Sequence, residues 1–511
     1  MDSTFSDNGM VCSVDALASS AGVEVMRQGG NAVDAAIATS AVLTVTTQHL
    51  CGLGGDLLAL VSQDGGPPLA LNSSGRAGSG ADPERLRAEG HTSMPFTGDI
   101  RAVPVPGCVD GWLALHRRLG RLPIADVLAP AIAHAEDGFT PSTTLAAAVA
   151  RFPDHPGMAQ FQTDPVRRPG VARTLRAIAE QGRAGFYLGE FGEGLLALGN
   201  GEYVRADLER DQADWVAPLS LQAFGRVLHT IPPNSQGYLT LAGAWIADQV
   251  GLPVDTSDPT WAHLTIEAAR LAAFDRVEVL HENADGSALL DVDRLRGRAA
   301  RVDRDRAAVL GESYRDGGTI HLTTVDADRM GVSLIQSNAA GFGSMLVEPA
   351  TGIFLQNRGL GFSLKAGHPA EYGPRRRPPH TLAPALVTHD DLSLDTVIGT
   401  MGGDTQPQIL LQLLARLLVS GESAGAAMAA PRWGLSNGGG FDTWDQHGEV
   451  MVLLEQGAPA SWEPDLSARG HRVETVTAGH GFGHAQLIRV VGDRLEGASD
   501  PRALPGSALG Y

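Results

Sequence analysis

The apolar positions near the start of the chain recur with the period of helices. Residues 14–28 place apolar side chains on one helix face, and the two glycines that follow predict the end of that helix. Asn31 can cap the next helix, because its side-chain oxygen accepts hydrogen bonds from the first free N–H groups. The stretch 32–45 is so apolar that it predicts a buried helix, whereas Asp34 and several threonines argue against a membrane span.

Helical periodicity continues further along the chain. Residues 110–138 carry Trp112, Leu115 and Leu119 on one face, and Pro130 is expected to separate a first helix from a second. In residues 231–250 a proline-rich loop leads into a further helix, and the helical period also occurs in 261–280 and 406–421. The chain before residue 318 is therefore predicted to be rich in helices.

From Thr319 onward the pattern becomes that of strands joined by short turns. Apolar and polar positions alternate in "TIHLTTVD", residues 319–326, and strand-like patterns return in many later segments. Those segments are 331–338, 352–359, 385–390, 395–403, 449–457, 472–478 and 485–491. The change of pattern places the main boundary of the chain immediately before Thr319.

Composition and charge narrow the class of protein. The chain has 511 residues and is 43% hydrophobic, enough to bury a large core. Its formal net charge of −19 argues against nucleic acid as a partner, because a phosphate-binding surface needs a basic patch. The densest basic cluster is the short run 375–377. A small molecule or a protein is the expected partner.

Cysteine usage and the N-terminal sequence indicate the compartment. Cys12, Cys51 and Cys108 lie far apart and form no CxxC pair, so neither a disulfide framework nor a zinc site is expected. The first residues lack a basic start followed by an apolar core, so no secretory signal is predicted. We therefore expect a cytoplasmic protein with no membrane association, no metal and no cofactor.

The sequence "RDGGTIHLTTVD", residues 315–326, suggests a cleavage junction as well as an ordinary turn. A threonine hydroxyl is a poor nucleophile unless a base lies beside it, and the α-amine of an N-terminal threonine can be that base. Cleavage between Gly318 and Thr319 would produce such an amine, and the flexible pair Gly317 and Gly318 suits the strained geometry of self-cleavage. His321 lies on the same strand face as Thr319 and is either a second site residue or an ordinary core histidine.

Acyl transfer also needs donors for the oxyanion. "IGTMGGDTQPQ" ends an apolar strand with Gly402 and Gly403 and then opens a helix, whose N-terminus adds positive potential. Two other glycine-rich segments do not predict sites. "CGLGGD", residues 51–56, lacks the spacing of a dinucleotide loop, and "GHGFGH", residues 479–484, lacks a further metal ligand.

Many collinear motifs resemble the gamma-glutamyltranspeptidase family of N-terminal nucleophile hydrolases. The resemblance runs over nearly the whole chain, which makes it far more specific than any one motif. The motifs are "GGNAVDAAIA" (29–38), "GLGGD" (52–56), "VPVPGCVDGWLALHRRLGRLP" (103–123), "LAPAIAHAEDGF" (128–139), "PPNSQG" (232–237), "HLTIEAARLA" (263–272), "TIHLTTVDAD" (319–328), "SNAAGFGS" (337–344), "TGIFLQNRG" (351–359), "MGGD" (401–404), "APRW" (430–433) and "GASDPR" (497–502).

The resemblance implies an α+β fold, a four-layer αββα sandwich made from a precursor cut into two subunits. These would be the large helix-rich subunit 1–318 and the small subunit 319–511, which stay together as one domain. It also implies that Thr319 is the nucleophile, with the cleavage site at Gly318 and Thr319. Gly402 and Gly403 match the family's oxyanion glycines. Arg76 matches the arginine that binds a substrate carboxylate, for which a bidentate guanidinium is suited.

Departures from the family pattern concern the substrate. Gly361 stands where glutathione-cleaving members have an aspartate that holds the substrate ammonium, and His380 and Thr381 replace a pair of serines. The family's substrate-binding asparagine is replaced at Ala339, although Asn338 lies next to it; Ser337 and Asn338 are counted with His380 and Thr381 as substrate-binding candidates. Without the carboxylate, a γ-glutamyl donor is expected to bind less well.

This pattern resembles the branch that holds cephalosporin-acylase-like and oxamate-amidohydrolase-like members. The expected function is a self-processing acyl hydrolase or transferase that cleaves a γ-glutamyl or related amide through an acyl-enzyme. Its partners would be an acyl donor bearing a carboxylate, and water or an amine as acceptor. The alternatives are hydrolysis of a non-glutamyl substrate in antibiotic metabolism, including hydrolysis of a C–C bond, and an inactive binding protein that keeps only the fold.

Overall fold

The computed structural model of this chain describes residues 2–63, 65–311, 318–437, 450–477 and 481–511. The helices are α1 Ala16–Arg27, α2 Ala32–Thr46, α3 Pro83–Ala88, α4 Cys108–Leu119, α5 Ile124–Asp137, α6 Thr143–Ala150, α7 Pro169–Gln181, α8 Arg183–Tyr187, α9 Glu190–Gly199, α10 Arg205–Glu209, α11 Tyr238–Val250, α12 Pro259–Ala273, α13 Arg276–Val279, α14 Gly286–Leu289, α15 Val292–Ala299, α16 Gln406–Leu418, α17 Ala424–Ala429 and α18 Trp462–Ala468. The strands are β1 Thr4–Ser6, β2 Met10–Ser13, β3 Asp56–Ser62, β4 Leu69–Ser73, β5 Asp214–Val216, β6 Leu219–Ala223, β7 Arg226–Thr230, β8 Gly318–Val325, β9 Gly331–Ala339, β10 Val347–Glu348, β11 Ile353–Phe354, β12 Ala385–Thr388, β13 Leu394–Thr400, β14 Trp433–Ser436, β15 Met451–Glu455, β16 Arg472–Val476, β17 Ala485–Val491, β18 Arg494–Ser499 and β19 Ser507–Gly510.

Two large antiparallel sheets form the centre of the molecule. One has the strand order β19-β2-β8-β9-β3-β4-β5 and the other the order β1-β18-β17-β13-β12-β7-β6. Each sheet contains strands from both sides of residue 318, so segments far apart in sequence are hydrogen-bonded neighbours. The smaller sheet β14-β15-β16 and the hairpin β10-β11 lie outside this pair.

Alternating side chains on the strands create three apolar layers. In β3, Leu57 belongs to the core shared with α1, α2, α4 and α5, whereas Leu58 belongs to the core between the two sheets. The second sheet has the same division, since Ile398 packs with α11, α12 and α16 and Val397 faces the first sheet. Helices therefore cover the outer face of each sheet, which gives the expected αββα sandwich.

The buried helix predicted over 32–45 is α2, and every one of its residues is buried. The side chain of Asn31 accepts hydrogen bonds from the N–H groups of Val33 and Asp34, as the sequence predicted. The prediction for Pro130 is wrong, because this proline lies inside α5. The break falls at residues 120–123, between α4 and α5, where a glycine and a proline interrupt the helical pattern.

The start of β8 places Thr319 between the two sheets. Strand β8 pairs with β9 in regular register from Ile320 onward, but the register shifts between Gly318 and Ile320. Ile320 points into the core beneath the helices, so Thr319 faces the other sheet. Gly317, the other half of the predicted hinge, lies outside the described residues. No described helix is long and apolar enough to cross a membrane.

Candidate active site

Thr319 is fully buried, and its hydroxyl contacts the carbonyl of the preceding peptide. Thr319 Oγ1 lies 2.7 Å from Gly318 O and 3.2 Å from Ser337 Oγ. Ser337 Oγ itself donates to Gly318 O at 2.7 Å. The carbonyl that would be attacked in self-cleavage is thus polarised by two hydroxyl groups, because hydrogen bonds to a carbonyl oxygen favour charge build-up on it.

Arg358 supports Ser337 from the opposite side. Its Nη2 donates to Ser337 Oγ at 3.0 Å, and its Nη1 donates to Thr381 Oγ1 at 2.9 Å. The side chain is almost fully buried, and Nε has no hydrogen-bond partner among the described residues. Burial lowers the pKa of the guanidinium to about 10, although Asp56 and Asp404 act in the opposite direction. Arg358 therefore remains a cation at neutral pH.

Gly402 and Gly403 form the turn between β13 and α16. Their φ angles are +139° and +58°, a region of backbone space that side chains rarely allow. Among the described residues, neither N–H group donates a hydrogen bond, so both are available for an anion. The turn is tied to the rest of the site by Gln236, whose Nε2 donates at 2.9 Å to both Gly403 O and Thr381 O.

His380 uses both ring nitrogens within the protein. Its Nε2 lies 3.2 Å from Asp56 Oδ2, and its Nδ1 accepts from the N–H of Leu382 at 3.3 Å. Burial and then the charge of Arg358 lower the pKa of His380 to about 4, despite the opposing effect of Asp56. The imidazole is therefore neutral and holds the 380–382 loop against Asp56.

Asn338 also faces internal partners. Its Nδ2 donates to Gln48 O at 3.1 Å, and its carbonyl accepts from the N–H of Asn357 at 3.1 Å. Its Oδ1 is buried without a hydrogen-bond partner. Asn338 thus lies beside the site and keeps one free acceptor, whereas its neighbour Ser337 contacts Thr319 directly.

Arg76 is placed apart from Thr319. Its Nη2 forms an ion pair with Asp214 Oδ2 at 2.7 Å, and its Nη1 lies 3.4 Å from Gln212 Oε1. Arg377 Nη1 shares the same Asp214 oxygen at 2.9 Å. No contact between Arg76 and Thr319 is found in the described parts of the chain, so Arg76 already has a carboxylate partner inside the protein.

The position of Gly361 leaves no room for a side chain. A Cβ atom there would lie 2.3 Å from Pro379 O, which is a backbone atom and cannot give way easily. Because Pro379 directly precedes His380 and Thr381, the missing carboxylate and the altered pair of residues belong to one local arrangement.

His321 faces the interior between the sheets. Its Nε2 lies 2.8 Å from Ser333 Oγ, and burial lowers its pKa to about 3. A Cβ atom on Gly399 of the opposite sheet would lie 2.2 Å from this nitrogen. These contacts are those of a neutral core histidine. His484 is partly exposed, and no cluster of metal-ligand residues occurs in the described ranges; His480 lies outside them.

The sequence did not assign roles to Asp56, Gln236 or Arg358. Asp56 Oδ1 accepts from the N–H of Gly75 at 2.9 Å and from Gln356 Nε2 at 2.9 Å, while its other oxygen binds His380. All three residues lie within the quoted motifs "GLGGD", "PPNSQG" and "TGIFLQNRG". The motifs could have indicated that these three residues matter. They could not have indicated which residues they contact, because the partners lie far away in the sequence.

The comparisons with known proteins agree with this arrangement. The gamma-glutamyltranspeptidase family model matches residues 18–510. This chain belongs to the gamma-glutamyltranspeptidase family. The family is enzymatic, and its N-terminal nucleophile hydrolase fold is the sandwich described above.

Two curated members of the gamma-glutamyltranspeptidase family match the chain almost end to end. The oxamate amidohydrolase proenzyme of Klebsiella pneumoniae subsp. pneumoniae is 34% identical over 537 residues, which cover 100% of this chain and 99% of that protein. The glutathione hydrolase-like YwrD proenzyme of Bacillus subtilis is 33% identical and is covered to 98%, as is this chain. The crystal structure of cephalosporin acylase from Bacillus halodurans has a TM-score of 0.91 at 32% identity, covering 100% of this chain and 97% of that one.

Proposed function

We propose that this protein is a self-processing acyl hydrolase or transferase in which Thr319 is the nucleophile. The observation that carries the proposal is the contact of Thr319 Oγ1 with Gly318 O, a carbonyl that also accepts from Ser337. The membership of the gamma-glutamyltranspeptidase family and the proenzyme names of its relatives support it.

Processing would begin with attack of Thr319 Oγ1 on the carbonyl carbon of Gly318. An O–C bond forms, the C–N bond of the peptide breaks, and the nitrogen takes the proton that the hydroxyl loses. The α-amine of Thr319 is then free, and water hydrolyses the ester, which releases a carboxylate at Gly318 and restores the hydroxyl of Thr319. The products are the subunits 1–318 and 319–511.

The new amine would serve as the base in turnover. An α-amine has a pKa of about 7.7–8.0, so an appreciable fraction is free base near neutral pH. Thr319 attacks the donor amide, the N–H groups of Gly402 and Gly403 stabilise the oxyanion, and the amine passes its proton to the leaving group. Water or an amine then resolves the acyl-enzyme.

The acyl donor is proposed to carry a carboxylate but no α-ammonium group. Gly361 has no carboxylate to pair with an ammonium, and Pro379 O closes that position. One relative is named for oxamate, a half-amide that carries a carboxylate and no ammonium group. We propose a cytoplasmic location for the enzyme, because its three cysteines are all free, as is usual in a reducing compartment.

The test is to express the chain and three variants and follow cleavage on denaturing gels. The wild type is expected to give bands of about 33 and 20 kDa, which divide 53.4 kDa in proportion to the two segment lengths. Thr319→Ala should remain full length, and Thr319→Ser should still cleave. Thr323→Val on the same strand is the matched control and should cleave like the wild type.

A second readout separates an enzyme from a binding protein that keeps only the fold. Mass spectrometry of the 319–511 fragment, after brief incubation with a glutaryl amide, should find the acyl group on Thr319. Donors with a γ-glutamyl, glutaryl or oxamyl group should differ in rate, and the donors without the amino group should be faster. A wild-type chain that stays uncut and never acquires an acyl group would contradict the proposal.

A further inference from the structure

Arg358 is a buried cation without a carboxylate partner in the described parts of the chain. Its two Nη atoms donate to the neutral hydroxyls of Ser337 and Thr381, and its Nε donates to nothing. Asp56 and Asp404 stabilise the charge of Arg358 from a distance, but each of them binds a different residue. Asp56 binds His380, and Asp404 forms an ion pair with Arg276 at 2.6 Å.

A buried charge of this kind is costly unless something compensates it. Removing a guanidinium from water costs several kcal/mol, which hydrogen bonds to neutral hydroxyls only partly recover. Other buried arginines are compensated: Arg432 has Asp500 at 2.7 Å, and Arg168, which has no carboxylate, donates five hydrogen bonds to carbonyl and amide oxygens. The unmatched charge of Arg358 is therefore best explained by an anion that enters the site from outside.

Two hydrogen bonds connect this cation to the nucleophile. Arg358 Nη2 lies 3.0 Å from Ser337 Oγ, which lies 3.2 Å from Thr319 Oγ1. Suppose that Arg358 binds the donor's carboxylate at about 2.8 Å and that the donor's carbonyl carbon lies about 3.5 Å from Thr319 Oγ1. Only a short linker then fits between the carboxylate and the carbonyl carbon of the donor.

Arg76 is less well suited than Arg358 to bind the carboxylate of a substrate. That guanidinium is already paired with Asp214, which Arg377 also contacts. A substrate carboxylate would have to displace or share an internal carboxylate there, whereas at Arg358 it would complete an unfinished pair.

We propose that Arg358 binds the carboxylate of the acyl donor, and that the donor is the half-amide of a short dicarboxylic acid. The proposal rests on the function proposed above, since it needs Thr319 as the nucleophile. In the uncut chain Gly318 O contacts Ser337, so departure of the Gly318 end after cleavage opens the space beside Ser337 and Arg358 to the donor.

The experiment compares charged and neutral donors in the processed enzyme by ammonia release. The charged donors are oxamate, malonamate, succinamate and glutaramate, and the neutral ones are the diamides oxamide and malonamide. Wild-type kcat/KM should be roughly 100-fold higher for oxamate than for oxamide, because charge-assisted hydrogen bonds are lost in the latter. Rates should fall from the shorter acids to glutaramate.

Substitution then assigns the preference to one arginine. In Arg358→Gln the value of kcat/KM for oxamate should fall roughly 100-fold, mainly through KM, while that for oxamide changes less than about 3-fold. Arg358→Lys, which keeps the charge, should recover part of the loss. An equal loss for acid and diamide would overturn the proposal, and so would loss of the acid preference in Arg76→Gln but not in Arg358→Gln.

The wild type alone provides a second test in case Arg358→Gln does not fold or cleave. Malonate should inhibit the processed enzyme competitively, and malonamide at the same concentration should not. Equal use of oxamate and oxamide, or equal inhibition by malonate and malonamide, would overturn the proposal. These outcomes occur in a cleaved, active enzyme, whereas failure of the proposed function would leave the chain uncut and inactive with every donor.

Discussion

Single atoms around the Gly318 carbonyl determine whether the chain can cut itself. Two hydroxyls, those of Thr319 and Ser337, lie 2.7 Å from that oxygen. Ser337 Oγ in turn accepts from Arg358 and from the N–H of Ala339, at 3.0 and 2.8 Å. These two donors leave the hydrogen of the serine hydroxyl free to point at the Gly318 oxygen, so Ser337 acts as a preorganised hydrogen-bond donor.

Ser337→Ala should therefore slow processing without preventing it. Loss of one preorganised donor to a developing oxyanion typically costs about 100-fold in rate. The rate is measured as disappearance of the full-length band during incubation of freshly purified chain. Thr323→Val, the control variant used above, should cleave at the wild-type rate. Unchanged cleavage of Ser337→Ala would show that its hydroxyl plays no part in the step.

Restoring a carboxylate at Gly361 should not restore a preference for γ-glutamyl donors. In Gly361→Asp the new Cβ would meet Pro379 O at 2.3 Å, so the backbone must shift. We expect a loss of about 1–3 kcal/mol in the free energy of unfolding, as for other overpacked positions. Urea unfolding and turnover of γ-glutamyl-p-nitroanilide measure the two effects. A stable variant with faster γ-glutamyl turnover would contradict this reasoning.

At the scale of elements, the contact between β8 and β13 depends on a histidine facing a glycine. His321 fits against Gly399 because that residue has no side chain, and its Nε2 binds Ser333. Gly399 lies one residue before the end of β13, which then leads into the turn of Gly402 and Gly403. The same packing thus holds the nucleophile strand and the proposed oxyanion turn together.

This packing should make stability fall in mild acid. Burial lowers the pKa of His321 from 6.5 to about 3, so the folded state keeps it neutral while the unfolded chain takes up a proton. Stability is then lost as the pH falls from about 6.5 towards 3, by about 2 kcal/mol at pH 5 from this residue. Urea midpoints at pH 7 and pH 5 test this, and His321→Gln should show a smaller difference between them. An identical difference would exclude His321 as the cause.

At the scale of the whole molecule, cleavage before Thr319 should not separate the two segments. Strand β8, from the second segment, hydrogen-bonds with β2 from the first, and β9 hydrogen-bonds with β3 in the same way. In the other sheet, β12 pairs with β7 and β1 pairs with β18. Separation would expose the edges of both sheets and the core between them.

The processed protein should therefore elute from gel filtration with both fragments in one peak, at the position of the uncut Thr319→Ala variant. The fragments should separate only after addition of denaturant, because hydrogen bonds and apolar burial rather than a covalent bond hold them. Elution of free 319–511 fragment under native conditions would show that the interleaved sheets do not hold the segments together.

The sequence by itself determined helices such as α2, α12 and α16, strands such as β8, β9 and β13, and the place where a cleavage junction is predicted, because periodicity, capping and glycine pairs act between neighbouring residues. The buried helix α2 and its Asn31 cap follow from such local patterns. Pro130 shows their limit, since packing of α5 against α2 and α7 keeps a proline within the helix that local rules would have ended there.

Only the tertiary structure decided how the candidate residues are connected. Within the described part of the chain it gave Arg358 two hydroxyl partners and no carboxylate, it joined His380 to Asp56, and it paired Arg76 with Asp214. Each of these contacts joins residues far apart in the chain, and which atoms meet depends on how the two sheets pack. Periodicity and motif spacing carry no information about such distances, so the sequence could suggest Thr319 as the nucleophile but could not suggest the cation proposed to bind its substrate.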